Sequence, residues 1–325
     1  MAKIKNKARK KSSKRKPIKI SSRQNRQAVV VLLVLIVAIF IYTTNQNQVG
    51  SSKTETITLQ AQTTQENQPK NQQTVTPNKT ETNKEQDEFF QQTNGRLELP
   101  YYNSSEFIIH NEDGRYILYY DTARRSALWV AHILTRKDIE AAGVARTTSF
   151  KSDPEVVSRN WPTATSKDYT NTGYDRGHLL PSADRDGSRA ENAATFYMSN
   201  VAPQEPNLNR QSWKYLEEQT RRWAQEYDSL YIVTGTLLDP NAKEINNGID
   251  IPSAFYKALL VKVSGEWHSQ AYLMPNIAKP EKNYELYAIS IDELEAKAGL
   301  DLFYNMDDRT ENRIEATTNN NIFKK

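Results

Sequence analysis

Tyr174-Asp175-Arg176-Gly177-His178 places an acid, a guanidinium and an imidazole within five residues, with a glycine before the histidine. Each residue type has a chemical use. A neutral imidazole takes a proton from water near physiological pH, because its unperturbed pKa is about 6.5. A guanidinium presents a planar fork that matches the oxygens of a phosphate. Glycine permits close approach of backbone. A base and a phosphate binder two residues apart suggest hydrolysis of a phosphodiester. A solvated charged turn before a strand is the bland alternative, and the pattern alone does not decide between them.

Downstream come Phe196-Tyr197-Met198-Ser199-Asn200-Val201-Ala202-Pro203-Gln204 and then Asn207-Leu208-Asn209. A helix is predicted from Leu208 to Tyr227, because Trp213, Leu216, Thr220, Trp223, Ala224 and Tyr227 recur at helical spacing and form one stripe. On that wheel Asn209 projects onto the apolar face. It is either an N-cap or a carbonyl-oxygen ligand for a hard divalent cation. Glu217 and Arg221 are four apart and share a face. They form either a surface ion pair worth about 0.3–0.5 kcal/mol or the rim of a cleft. In the second reading the Glu orders water at a metal and the Arg faces a phosphate. Taken together, these residues supply the inventory of metal-assisted phosphodiester cleavage.

The remaining pattern indicates an α+β fold. Tyr116–Tyr120 and Leu128–Leu134 read as a hairpin, Leu230–Thr234 as a buried strand, and Ala254–Val263 with Trp267–Met274 as two strands joined near Ser264-Gly265. Ile291–Ala298 before Gly299 reads as a second helix with a glycine stop. The absence of cysteine excludes disulfides, thiolate metal sites, a thiol nucleophile and a lipidated cysteine.

Charge is uneven. The 325 residues carry 43 Lys or Arg and 39 Asp or Glu, but the first 27 residues hold 12 of the basic groups and no acid. Residues 28–325 are therefore net negative, so bulk charge does not explain nucleic-acid binding and a local basic cleft is required. Ala28 to Tyr42 is uncharged and apolar. It would rise about 22 Å as a helix, short of a hydrocarbon core of about 30 Å unless Thr43 and Thr44 extend it. A cleaved signal peptide and a buried core helix fit less well than an uncleaved anchor. The expected organisation is a basic cytoplasmic arm (1–27), a transmembrane signal anchor (28–44), a disordered polar tether (45–97), a globular domain (98–304) and a polar, frayed C-terminal tail (305–325). The domain would then lie outside the cytoplasm, in a periplasm or at the exterior.

DRGHLLPSAD, FYMSNVAPQ and LNRQSWKYLEEQTR, in that order and spacing, resemble the DNA/RNA non-specific endonucleases, the ββα-metal (His-Me finger) nucleases, especially those of endonuclease G type. YYDTARRSALWVAHIL, YIVTGTLL, IPSAFYKALL and AYLMPN extend the likeness over roughly 99–303. The resemblance implies a central, mostly antiparallel sheet flanked by helices, and cleavage of DNA and RNA to 5′-phosphate and 3′-hydroxyl ends. It assigns His178 as general base and Asn209 as the protein ligand of one Mg2+, with Mn2+ as a substitute. It has Glu217 orienting water at the metal, Arg176 and Arg221 on the phosphate, and Asn200 shaping the site. Asp175 and Arg146 are expected to contact substrate, with Arg136 and Lys151 as alternatives to Arg146. A homodimer is common among such proteins. The competing readings are a catalytically inactive nuclease-like module that binds nucleic acid or docks a partner in the envelope, and a phosphodiesterase acting on small molecules or on a single dedicated nucleic acid.

Overall fold

A computed structural model describes residues 91, 93–102, 108–111, 115–141, 143–318 and 321–324. The arm, the anchor at 28–44 and most of the tether lie outside them. Among the described residues no helix is long and apolar enough to cross a membrane.

Seven strands form one sheet in the order β1-β2-β3-β6-β9-β10-β11. They are β1 (Ile108–Asn111), β2 (Tyr116–Asp121), β3 (Ser126–Thr135), β6 (Ser229–Leu237), β9 (Ala254–Val263), β10 (Glu266–Pro275) and β11 (Ala288–Ile289). Every neighbouring pair is antiparallel. The long apolar runs of β3, β6 and β9 follow from burial of both faces. Ala127, Val130, Leu230, Ile232, Phe255 and Leu259 pack on one face. Trp129, Ala131, Val233, Tyr256, Ala258 and Leu260 pack on the other.

Short helices α1 (Arg136–Glu140), α2 (Pro154–Ser158) and α3 (Arg189–Ala194) interrupt the connections. A second, two-stranded sheet pairs β4 (Asp175–His178) with β5 (Val201–Gln204). One turn of π-helix, Leu208–Trp213, leads into α4 (Lys214–Tyr227). The apolar stripe of α4, Leu216, Trp223 and Ala224, covers the first face. A small ribbon of β7 (Glu244–Ile245) and β8 (Ile249–Asp250) stands apart. Helices α5 (Ile291–Ala298) and α6 (Asp308–Glu315) close the second face. The predicted glycine stop is present, since Gly299 caps α5 in the left-handed region at φ 65°.

Two boundaries differ from expectation. In the expected tail at 305–325, residues 305–318 and 321–324 are described and are not frayed. Asp307 caps α6 by accepting from the Thr310 amide, Ile314 is buried in the second core, and Phe323 packs edge-on against Trp223 at 5.2 Å. The few apolar residues here are widely spaced, and each fills a core position that average polarity conceals. At the other end, Asn305 donates to Thr93 Oγ1 and to the Arg96 carbonyl, so 93–97 belong to the domain rather than to the tether.

Phe323 is 3% exposed. Phe323→Ala is expected to destabilise the protein by about 3 kcal/mol, the range for a buried Phe→Ala change, as measured by urea unfolding. A loss below about 0.5 kcal/mol, the scale of ordinary surface substitutions, would mean that the C-terminal segment does not pack on Trp223.

Candidate active site

In the β4–β5 hairpin Asp175 lies opposite Gln204 and His178 opposite Val201. Gly177 is required there because a Cβ would run into the Gln204 side chain. The hairpin faces the π turn and the start of α4. Between them lies a cleft of about 410 Å³, lined by Arg146, Arg176, His178, Asn209, Glu217 and Arg221, together with Arg210, Lys214 and the Pro181–Ala183 turn. Residues spread over 76 positions of sequence thus meet in one place.

His178 is only 9% exposed. Its ring sits against Phe150 at 5.4 Å and edge-on to Phe196 at 4.8 Å. Burial, and then the nearby Arg146 guanidinium, hold its pKa down at about 3, so the imidazole is neutral. Its Nε2 is buried without a hydrogen-bond partner.

Two guanidiniums are fixed by aromatic faces. Arg146 lies over Phe196 at 5.0 Å and donates to Ser182 Oγ. Arg176 sits between Phe150 at 5.4 Å and Tyr169 at 5.6 Å, and its Nη2 donates to the Ser166 carbonyl. Stacking on rings sets the plane of each cation without neutralising it, so its charge is kept for an anion. Of the three upstream candidates, Arg146 is the one that lines the cleft. Arg136 instead donates to the carbonyls of Gln225 and Glu226 at the end of α4, and Lys151 does not line the cleft.

Asn209 is not an N-cap. Asn207 holds that position, and Asn209 lies inside the π turn. The wider turn rotates it toward β4, where its Nδ2 donates to Asp175 Oδ2 at 2.9 Å. That bond leaves the carbonyl oxygen Oδ1 as the remaining acceptor. A neutral carbonyl oxygen at the edge of a hydrated cleft suits a hard cation that keeps most of its waters, so the donor set fits Mg2+.

One assignment changes, and one takes a concrete form. Asp175 is not among the cleft-lining residues, and its two oxygens are taken by Asn209 and by a bidentate pair with Arg210 at 2.7 and 2.9 Å. A carboxylate would in any case repel a phosphate. Asn200 is fully buried and outside the cleft lining. It accepts from the Leu180 amide and donates to the carbonyls of Leu180 and Thr195, which fixes the turn that follows His178.

Beneath the cleft is a layer that the motif reading missed. Arg221 donates to Asp184 at 3.0 Å instead of pairing with Glu217. Burial pushes Asp184 up, but His132 and Arg221 outweigh it and bring it down to about 2. His132 Nε2 lies 3.6 Å from Asp184, and burial holds the histidine at about 4. Lys257 is buried, donates to Thr234 Oγ1 at 2.7 Å and sits over Trp213 at 5.3 Å. Burial raises the Glu217 carboxyl and lowers the Lys257 ammonium, while each charge pulls the other back. His132, Thr234 and Lys257 share the strand phase of Val130, Ile232 and Phe255; Thr234 pairs with Lys257, and His132 stands two residues along β3 from Val130, the other partner of Thr234, so a polar patch lies on this face under the helix. The signal was a charged or polar residue interrupting an apolar run. Arg210 and Lys214, also in the cleft, were missed because exposed cations on a helix are common.

A hairpin that carries a histidine, followed by a helix that turns an asparagine toward it, is the ββα arrangement. The chain belongs to the DNA/RNA non-specific endonuclease family, whose model matches residues 101–309. That family comprises metal-dependent nucleases that hydrolyse phosphodiester bonds. The chain is 33% identical over 198 residues to mitochondrial endonuclease G of Homo sapiens, covering 57% of this chain and 66% of that protein, just under two thirds of its length. It is 31% identical over 218 residues to a nuclease of Nostoc sp., covering 63% and 77% respectively. A crystal structure of an EndoG/EndoGI complex superimposes with a TM-score of 0.57 at 25% identity, covering 64% of this chain and 90% of the matched one.

NMR titration of His178 should show no protonation between pH 8 and about 5, since its pKa is held near 3. Arg146→Met removes the second cause of the depression and should move the titration upward. An imidazole titrating near 6.5 in the parent, the value of an ordinary histidine, would contradict this environment.

Proposed function

We propose that the cleft is the active site of a magnesium-dependent endonuclease that cuts DNA and RNA without sequence preference. The observation that carries this reading is the meeting of a buried, neutral His178 with Arg146, Arg176, Arg221 and Asn209 around one cleft. The phosphodiester lies between Arg146 and Arg176, which are anchored by aromatic rings and offset its charge from two sides. An anion there counters the effect of Arg146 on His178 and raises the proton affinity of the imidazole. His178 then takes the proton from the water that attacks phosphorus in line, leaving 5′-phosphate and 3′-hydroxyl ends. Arg221, held by Asp184, stabilises negative charge that develops in the transition state. Glu217, at the edge of the same cleft, accepts hydrogen bonds from ordered water. Asn209 Oδ1 would hold the ion, and Mg2+ or Mn2+ bound there supplies positive charge for the phosphate and leaving oxygen. Contacts to the sugar-phosphate backbone, rather than to base edges, account for broad substrate choice.

The sequence reading of 28–44 supports a further part of the proposal, that the domain is tethered to the outer side of a membrane by an N-terminal anchor.

A plasmid-nicking assay on the full chain tests the assignment. His178→Ala should lower turnover about 10²–10⁴-fold, the usual worth of general-base catalysis, while filter binding of the plasmid persists. Retention of more than about a tenth of parental turnover contradicts the base assignment on the same scale. EDTA should abolish nicking and Mg2+ should restore it. Asp175→Ala frees the amide of Asn209, and the Mg2+ concentration for half-maximal activity should then rise about 10–100-fold, as for lost partners of metal ligands. An unchanged Mg2+ dependence would sever the link between Asp175 and the ion.

A further inference from the structure

On the sheet face opposite the cleft, α5 and α6 bring acidic side chains together. Asp292, Glu295 and Glu315 each offer a carboxylate oxygen, and the three oxygens lie within 4.8 Å of one another. Glu315, the last residue of α6, is 5% exposed, and its Oε1 is buried with no hydrogen-bond partner. Glu311, one turn earlier, likewise buries an unpartnered Oε1. A buried carboxylate left without donor or cation costs several kcal/mol as an ion. Its place at the C-terminal end of α6 adds to the cost, because the free carbonyls there carry partial negative charge.

Among the described residues, no basic group appears among those acting on Glu315. Two cations on these helices have other partners, Lys297 pairing with Glu293 at 3.6 Å and Arg313 with Glu266 at 3.4 Å. Apart from burial, the groups acting on Glu315 are all carboxylates: Glu295, Glu311, Asp301 and Asp292. Burial and these neighbours push Glu315 up to about 10 and Glu311 to about 8. The cluster therefore needs either protons or a cation.

We propose that Asp292, Glu295 and Glu315 bind one Ca2+ ion that joins α5 to α6. Oxygens within 4.8 Å of one another are close enough to share one such ion. Ligands on opposite sides of Ca2+ stand about 4.6–5.2 Å apart, twice the usual Ca–O distance of 2.3–2.6 Å. Mg2+ is less suited, because its shorter bonds demand a tighter octahedron and it gives up water reluctantly. Asp292 is exposed and Glu295 half-buried, so the site has an entry from solvent while Glu315 closes its floor. The ion would also fasten the C-terminal segment, since α5 and α6 both pack on β10 through Ile291, Leu294 and Ile314. This site is independent of the nuclease reading and shares no residue with the cleft.

Calorimetric titration of the full chain carrying Asn209→Ala, which silences the ion site proposed in the cleft, tests the inference. One Ca2+ should bind per chain at pH 7.5, with release of protons, since the carboxyls must ionise. The melting temperature should rise by roughly 5–10 °C at a hundredfold excess over Kd. Asp292→Asn, which alters only an exposed group, should weaken binding at least tenfold, and Glu315→Gln should abolish it. The circular dichroism of both variants checks that they fold. The proposal is overturned if Ca2+ at about 10 mM, above the range for extracellular sites, neither binds nor raises the melting temperature. It is equally overturned if both variants bind as the parent does. A protein stabilised by acid alone and indifferent to Ca2+ would mean that protons neutralise the cluster.

Discussion

Asp184 lies under the cleft with almost no exposure, and much of the site depends on its charge. Five cationic side chains, Arg146, Arg176, Arg210, Lys214 and Arg221, line one small cleft. Such charges repel, and without counter-anions they would swing apart into solvent. Asp184 anchors Arg221 from below and Asp175 anchors Arg210 from the side. The turn that carries Asp184 is held in place by Arg185, whose guanidinium donates to the carbonyls of Arg115 and Ile133 on or beside the sheet. The large sheet is thus the reference frame to which the cationic rim is fixed, while Arg146 and Arg176 rely on aromatic faces and keep their full charge for an anion.

This arrangement separates local from global electrostatics. Beyond the first 27 residues the chain has more acidic than basic groups, yet the cleft has one carboxylate among its lining side chains against five cations. The acidic excess lies elsewhere, including the opposite sheet face, where α5 and α6 gather Asp292, Glu295, Glu311 and Glu315. A cleft of one sign within a surface of the other focuses a phosphate to one place and limits adhesion of nucleic acid over the rest of the domain.

β2, β3, β6, β9 and β10 and helices α4 and α5 were legible because each buried face leaves its period in the sequence, whereas β1, β11 and the β4–β5 pair are too short to leave one, and the β3–β6 adjacency is not a chain neighbour. His178, Arg176, Glu217 and Arg221 were legible because motif order and spacing placed them. Three features were not fully so. Asn209 was named by the same motif order, but its direction was not legible, because an ideal 3.6-residue wheel put it on the apolar face while a π turn shifts the phase of everything before Trp213. Asp175 looked like a substrate contact because a motif gives identities and not directions, and only the β4–β5 register shows which way it points. His132 and Lys257 were hidden inside apolar strand runs, and their purpose appears only when three strands lie side by side.

The most direct test is a crystal structure of the His178→Ala variant with Mn2+ and a short DNA duplex, using the anomalous signal of manganese. The account requires an ion bonded to Asn209 Oδ1, at about 2.2 Å as for hard divalent ions with oxygen ligands, and a backbone phosphate between Arg146 and Arg176. A duplex bound outside this cleft, or manganese held by residues other than Asn209 with that carbonyl oxygen left free, would contradict it.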